Sequence, residues 1–265
     1  MYGLDLLPSL QAPVDWLRVQ ASGRTFAYVR AANGCTIEAA FSSEWRAMED
    51  ARITRGAWQS LRADEDAAEQ ALRFLKAVEL QRGDLPPMLD LEHLAHLSAA
   101  TIAAMIATWV SVVEPELEAR HGVVLRAVLR ATSVSWPADQ TAHEVDRYGL
   151  WIVDPFNFTT PLTPRARHPD DWTFHQYTLG TRGIPGAAGV VRLDRFHPSA
   201  VGDEGPHIER WKQLLRRGRF GDISDSPLFD VEMRDAVVRL QARRGLVADG
   251  VVDPRTCAEL HWLRP

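Results

Sequence analysis

Cysteine is scarce in this chain, with two residues among 265. Cys35 and Cys257 lie near opposite ends of the sequence, far from the dense framework of paired cysteines that stabilises small secreted domains. This scarcity excludes a disulfide-rich scaffold and favours synthesis in a reducing compartment. At this length we expect one or two domains with a large hydrophobic core instead.

An excess of positive charge is also missing. The formal net charge is −5 at pH 7 and the sequence pI is about 6.0. Nucleic-acid-binding domains usually carry a strongly basic surface, so the sequence predicts no nucleic-acid partner. The apolar run at 97–113 is barely long enough to span a membrane and contains four hydroxyl residues, which favours a buried helix and no stable membrane association. We expect a monomer.

Several signals of targeting and of catalytic chemistry are absent. Residues 1–5 show neither the basic leader nor the apolar stretch of a signal peptide, which predicts synthesis in the cytoplasm. The chain has no serine nucleophile elbow and no glycine-rich phosphate loop. Glu92, His93 and His96 do not have the spacing of a zinc protease motif, so we predict no metal and no cofactor.

The most informative stretch is residues 84–94. Pro86 and Pro87 are poor residues for a helix interior and are followed by a short apolar run that contains Asp90 and Glu92. On a strand, two residues in alternate positions share one face, with Cα atoms roughly 6–7 Å apart. Paired carboxyl groups of this kind are the equipment of glycoside hydrolysis. The alternative is a salt-bridged pair at a strand end.

The rest of the chain alternates between strand-like and helix-like segments. Eight candidate strands fall near residues 2–7, 25–31, 54–61, 87–92, 123–131, 149–154, 172–178 and 190–196. Helix-sized segments separate the first five strands and shorter loops separate the last three, which predicts an α/β barrel with parallel pairing. In such barrels the active site lies at the C-terminal ends of the strands, where Asp5, Asp90 and Glu92 are found.

A polar segment with glycine and proline follows the last strand. The sequence therefore predicts a first domain over residues 1–198, a linker over 199–206 and a second domain over 207–265. Three apolar stripes with helical spacing occur in the second domain, and Asp253 and Pro254 form a typical start for the last helix. We expect a small three-helix module.

Taken together, these segments resemble glycoside hydrolase family 25, the muramidases called Chalaropsis-type lysozymes, over roughly residues 2–200. The matching segments are Tyr-Gly-Leu-Asp-Leu at 2–6, Val-Asp-Trp at 14–16, Arg-Gly-Ala-Trp at 55–58, Leu-Pro-Pro-Met-Leu-Asp-Leu-Glu at 85–92, Trp-Thr-Phe-His-Gln-Tyr at 172–177 and Leu-Asp-Arg-Phe at 193–196. Residues 236–256 resemble the peptidoglycan-binding domain type 1. The resemblance implies a flattened (β/α)5(β)3 barrel followed by a wall-binding module.

The resemblance also implies roles for individual residues. Glu92 would be the general acid that protonates the glycosidic oxygen, Asp90 would stabilise positive charge or orient the substrate N-acetyl group, and Asp5 would line the same mouth. The resemblance is compatible with a covalent intermediate and with a substrate-assisted one. Trp58 and Trp151 would be stacking platforms for sugar rings, with core aromatics as the alternative for each.

Three positions depart from the family pattern. Arg192 occupies the place of an aspartate expected two residues before Asp194, Arg130 replaces a tyrosine on the fifth strand, and His175 replaces a tryptophan on the seventh. An arginine beside Glu92 would favour the ionised form of that acid, which opposes the role of a proton donor.

These arginines have two possible roles. Arg130 and Arg192 either pair with Asp5 and Asp90 or bind a carboxylate of muramic acid or its stem peptide. We therefore count both, with Gln176, among the predicted substrate-binding residues.

The predicted function is hydrolysis of bacterial peptidoglycan at the β-1,4 bond between N-acetylmuramic acid and N-acetylglucosamine. The alternative is a catalytically impaired peptidoglycan-binding protein in which Arg192 disables the cleft. Cytoplasmic synthesis combined with action on the wall fits either a phage endolysin or an effector delivered by a secretion machine.

Overall fold

The computed structural model describes residues 1–8, 13–133, 135–136, 147–163 and 171–264. The strands are β1 (Tyr2–Leu6), β2 (Phe26–Asn33), β3 (Thr36–Ile37), β4 (Thr54–Ser60), β5 (Met88–Asp90), β6 (Val128–Ala131), β7 (Gly149–Val153), β8 (Phe174–Gln176) and β9 (Arg192–Phe196). The helices are α1 (Trp16–Ala21), α2 (Phe41–Asp50), α3 (Ala67–Ala77), α4 (Ala99–His121), α5 (Pro206–Arg217), α6 (Val231–Arg244) and α7 (Pro254–His261).

Eight of these strands close into a barrel. The hydrogen-bonded order is β1-β9-β8-β7-β6-β5-β4-β2, and β1 also pairs with β2, which closes the ring. Neighbouring strands are parallel along the series β1, β2, β4, β5, β6, β7 and β8. Strand β9 runs antiparallel to both β8 and β1. β3 is a two-residue strand outside the ring, paired with β2. The predicted α/β barrel is confirmed.

Side chains alternate between the two faces of the barrel wall because successive strand residues point in opposite directions. Rings from several strands fill the interior, and Tyr28 packs edge-on against both Trp151 and Phe174. Tyr28 is paired with Gly56 on the neighbouring strand, and a Cβ atom at position 56 would lie 2.3 Å from the tyrosine ring. Glycine is therefore required beside this ring.

Helix α4 belongs to the outer layer of the barrel domain. Ser98 caps its first turn, and Gly122 ends it with a left-handed backbone conformation, as its sequence predicts. Within the described residues it is the one helix long and apolar enough to suit a membrane span. Its buried residues Ile102, Ile106 and Trp109 belong to the hydrophobic layer between the helices and the barrel wall, as expected for a core helix.

The prediction that Asp90 and Glu92 share a strand face is wrong for Glu92. β5 ends at Asp90, and Glu92 begins a 3-10 turn that runs to Leu94. Leu91 departs from the extended conformation, with φ −103° and ψ 2°, and the Asp90 carboxylate accepts the backbone N–H of Glu92 at 3.2 Å. This local hydrogen bond turns the chain toward the barrel mouth.

Helices α5, α6 and α7 form a module against the opposite end of the barrel. Trp211 of α5 is buried and stacks on Phe196 of the barrel with ring centroids 6.4 Å apart. The Trp262 indole donates to the carbonyl of Asp84 at 2.8 Å. Side chains of the module and the barrel interior form one continuous hydrophobic cluster.

The connecting segment after β9 is ordered and packs within this module. Ser199 is buried and forms an antiparallel bridge with Val252, and its hydroxyl lies 3.3 Å from the ring of His207. The segment predicted as a linker therefore packs against the module, and α5 already begins at its last residue, Pro206.

Candidate active site

Three acids meet at the C-terminal ends of the parallel strands. Asp5 lies near the end of β1, Asp90 is the last residue of β5, and Glu92 follows in the 3-10 turn. Asp5 and Asp90 are buried, whereas the Glu92 side chain retains 36% of its exposure. Glu92 is thus the acid that faces solvent, with two buried carboxyl groups behind it.

Arg130 holds this group together from the centre of the barrel mouth. Its Nη1 donates to Asp90 Oδ1 at 2.6 Å and to Glu92 Oε2 at 3.0 Å, and its Nη2 donates to Gln176 Oε1 at 2.5 Å. Its Nε lies 4.0 Å from Asp5 Oδ2. One guanidinium therefore touches or approaches every predicted catalytic acid.

The charge of Arg130 is secure despite its complete burial. Burial by itself lowers the pKa of an arginine, but Asp90, Asp5 and Glu92 outweigh this effect and raise the pKa of Arg130 above its ordinary value. Removing one partner from a buried ion pair typically costs about 3–5 kcal/mol, because it leaves an uncompensated charge. Arg130 is therefore a structural requirement for burying these acids together.

Arg192 pairs with Asp5 from the neighbouring strand. The two residues are in register across β1 and β9, and Arg192 Nη1 lies 3.3 Å from Asp5 Oδ2. The Arg192 side chain remains partly exposed at the cleft. Of the two roles considered for the arginines, the structure contains the ion pairs, and part of Arg192 still faces the space where a ligand would lie.

An open cleft lies in front of Glu92. Its volume is about 450 Å³, and it is lined by Leu7, Arg30, Asn33, Trp58, Ser60, Arg62, Asp90, Glu92, His93 and Arg192. Trp58 lies beneath this cleft but is only 1% exposed, with the guanidinium carbons of Arg30, Arg130 and Arg192 at 5.5, 5.7 and 6.0 Å from its centroid. It is therefore a core aromatic, and the predicted open stacking platform is wrong for this ring. Three arginines thus lie around the buried Trp58 ring at the base of the cleft.

Three further residues singled out in the sequence, Trp151, Gln176 and His175, do not line the cleft. Trp151 is fully buried and stacks on Phe174 with centroids 4.8 Å apart, so it is a core aromatic and not a platform for sugar. Gln176 is also buried and positions Arg130, where the prediction had given it a direct substrate contact. His175 points to the outer side of the wall, with its Nε2 2.9 Å from the carbonyl of Asp154.

Asp194 is a site residue that the sequence reasoning missed. It is fully buried two residues along β9 from Arg192, which places both side chains on the inner face of the strand. Burial raises its pKa well above the ordinary range, the charge of Asp5 adds to the rise, and Arg130 and Arg192 oppose it without cancelling it. Arg192 and Asp194 occupy alternate positions on one strand, and this alternation was the sequence signal that could have identified Asp194.

The raised pKa of Asp194 predicts a pH dependence of stability. Asp194 is neutral in the folded state up to its raised pKa but ionises in the unfolded state above about pH 4, so its contribution to folding becomes less favourable as pH rises through that window. We expect Asp194→Asn to raise the unfolding temperature at pH 7 and to change it little below pH 4. Thermal unfolding of both proteins across this range tests the prediction; a constant difference would contradict it.

Residues 7–186 match the family model described as glycosyl hydrolases family 25. The chain belongs to this family. Residues 205–260 match a second model, described as a peptidoglycan binding domain. The chain is therefore a glycoside hydrolase, and its two matching domains together identify it as a peptidoglycan hydrolase.

Individual relatives agree with this assignment. The chain is 26% identical over 208 residues to the uncharacterized protein YegX of Escherichia coli K12, covering 74% of this chain and 70% of that protein. It is 24% identical over 201 residues to lysozyme M1 of Streptomyces globisporus, covering 72% of this chain and 66% of that protein.

Solved structures show the same fold. A bacterial lysozyme from Streptomyces coelicolor superposes with a TM-score of 0.60 and 25% identity, covering 76% of this chain and 93% of that one. A family 25 glycosyl hydrolase from Bacillus anthracis gives a TM-score of 0.60 at 20% identity, covering 74% of this chain and 88% of that one.

Proposed function

We propose that this family 25 hydrolase is an N-acetylmuramidase. It would cleave the β-1,4 bond between N-acetylmuramic acid and N-acetylglucosamine in bacterial peptidoglycan. The observation that carries the proposal is the position of Glu92, a half-exposed acid at the edge of an open cleft with Asp90 buried behind it. A carboxyl group that faces the substrate can deliver a proton to the glycosidic oxygen.

The neighbouring residues divide the remaining tasks. Asp90 accepts hydrogen bonds from Arg130 and from the backbone of Glu92, which fix its position, and it would stabilise the positive charge that develops on the sugar ring. Arg130 Nη1 donates to Glu92 Oε2 at 3.0 Å. This ion pair must break when Glu92 takes up the proton that it then transfers to the glycosidic oxygen. Substrate entry, which displaces water from the cleft, would accompany this release.

Asp5 and Arg192 would complete the mouth as an ion pair. The exposed part of Arg192 supports a contact to the lactyl or stem-peptide carboxylate of a muramic acid residue. The C-terminal module supports action at the cell wall, because residues 205–260 match a family model described as a peptidoglycan binding domain.

The reaction can be tested directly on purified sacculi. We expect release of new reducing ends, and after borohydride reduction mass spectrometry should find muramitol, the alcohol from muramic acid, at the cut ends. Reduced glucosamine in its place would mean that the opposite glycosidic bond is cleaved, and free stem peptides without reducing ends would indicate an amidase. Either result contradicts the proposal.

A second candidate function is peptidoglycan binding without turnover. The ion pairs of Arg192 with Asp5 and of Arg130 with Glu92 favour it, because both acids already have a partner within the mouth. The same sacculi assay separates the two candidates. Binding in a pelleting experiment with no reducing ends over prolonged incubation would support the non-enzymatic protein.

A further inference from the structure

A second groove lies on the outer face of the barrel wall, where β1, β9 and β8 run antiparallel. Its volume is about 540 Å³, and its principal side chains are Tyr2, Arg24, Phe158, Tyr177 and Arg195. Tyr2 and Arg195 are register partners across β1 and β9, three residues before Asp5 and its partner Arg192. An odd separation along a strand places the groove and the catalytic cleft on opposite faces of the same two strands.

Three aromatic rings form the apolar part of this groove. The Tyr177 ring lies 6.2 Å from the ring of Tyr2 and 6.2 Å from that of Phe158. Tyr2 and Phe158 are 55% and 67% exposed. A contiguous group of exposed aromatics is unfavourable in water and usually marks a binding surface. Flat aromatic faces are well suited to the apolar faces of pyranose rings.

Two arginines flank the rings. Arg24 is anchored through its Nη1, which donates to the carbonyl and the hydroxyl of Ser22 at 3.2 Å each. Arg195 is held by the carbonyl of Thr159 and by His175 Nδ1, the latter at 3.1 Å. Among the described residues that line the groove none is acidic, although the whole chain carries a net charge of −5. The groove is therefore locally positive and suits a ligand with carboxylates.

We propose that this groove binds a glycan strand of peptidoglycan outside the catalytic cleft. Sugar rings would stack on Tyr2 and Phe158, and a stem-peptide or lactyl carboxylate would pair with Arg24 and Arg195. The choice of ligand rests on the proposed function, since the polymer that supplies sugar rings and carboxylates at regular intervals is the one that the enzyme would cut. The groove would hold the enzyme on the wall through a second contact.

The test uses the full chain and two matched sets of variants. Tyr2→Ala/Phe158→Ala removes the exposed rings, and Phe156→Ala is the control, because Phe156 is an 84% exposed aromatic nearby that does not line the groove. In a Glu92→Gln background, which prevents digestion, we expect the double variant to bind sacculi about tenfold more weakly in a pelleting assay. The control should bind like its parent.

Soluble probes distinguish the parts of the site. A disaccharide-tetrapeptide should compete with sacculi for the groove more strongly than chitotetraose, which has no carboxylate, and Arg24→Gln should reduce this difference. Equal competition by both probes with unchanged Arg24→Gln binding would overturn the carboxylate contact. If the double variant instead converts a dimer into a monomer in light scattering, the groove is a contact between copies of the chain and the proposal fails.

Failure of the groove and failure of the proposed function give different results. Unchanged binding by the double variant, with normal release of reducing ends by the wild type, overturns the groove alone. Reduced binding without any turnover by the wild type supports the groove and removes the muramidase. Turnover of a short soluble muropeptide should be equal in the wild type and the double variant, because the groove lies outside the cleft.

Discussion

Replacing Glu92 by glutamine is expected to reduce the release of reducing ends from sacculi by about 10²–10⁴-fold, the usual contribution of a positioned general acid. Glutamine keeps the shape of the side chain and can still accept the hydrogen bond from Arg130 Nη1, so the fold and the cleft should persist. Pelleting with sacculi should therefore be retained. Initial rates of reducing-end formation, measured beside binding on the same preparations, test the prediction.

A matched control is available on the surface of the outer layer. Glu116 is an exposed acid that pairs with Arg120 one helical turn away, and Glu116→Gln should leave both turnover and binding unchanged. Retention of most of the activity by Glu92→Gln would refute Glu92 as the proton donor. Loss of binding together with activity would instead indicate a collapsed cleft.

The barrel itself could be predicted because its signals are local. Each strand is a short apolar run bounded by turn residues, and the alternation with helical segments restricts the topology to parallel pairing. The caps of α4 at Ser98 and Gly122 follow from rules that concern only neighbouring residues. Such features do not depend on what packs against them.

The active site was predicted less completely, because the sequence does not reveal how deep each side chain lies within the barrel. The sequence identifies Asp5, Asp90 and Glu92 as acids near strand ends, but it does not reveal that β5 stops at Asp90 and that Glu92 lies in a turn. Nor does it indicate that Trp151 is fully buried, with Tyr28 and Phe174 packed against it. The turn depends on the hydrogen bond from the Glu92 N–H to the Asp90 carboxylate, and the burial of Trp151 depends on how the closed sheet brings distant strands together.

The sequence also did not predict how the charges in the barrel mouth balance one another. Arg130 and Arg192 were recognised as departures, with ion pairs as one of two options. Their combined effect is visible only in the structure: Arg130 contacts two acids, Arg192 contacts a third, and burial raises the pKa of the neighbouring Asp194. Each of these ion pairs joins residues that are far apart in the sequence, so no local pattern encodes them.

The packing of the C-terminal module against the barrel predicts a large effect on stability. Trp211 is buried between α5 and the barrel, where it stacks on Phe196. Truncation of a buried tryptophan to alanine typically costs about 3–5 kcal/mol through lost burial and the cavity that remains. Because barrel and module share one hydrophobic cluster, we expect Trp211→Ala to lower a single unfolding transition of the whole chain by at least several degrees.

Differential scanning calorimetry on the full chain measures this effect, and Phe156→Ala, which removes an exposed aromatic, should leave the transition unchanged. Two separate transitions in the wild type, of which only one moves in Trp211→Ala, would show that the module is energetically independent of the barrel. A single shared transition has a mechanistic consequence. The module then closes the end of the barrel opposite the acids, and a wall-binding contact made by it would be rigidly oriented with respect to the cleft.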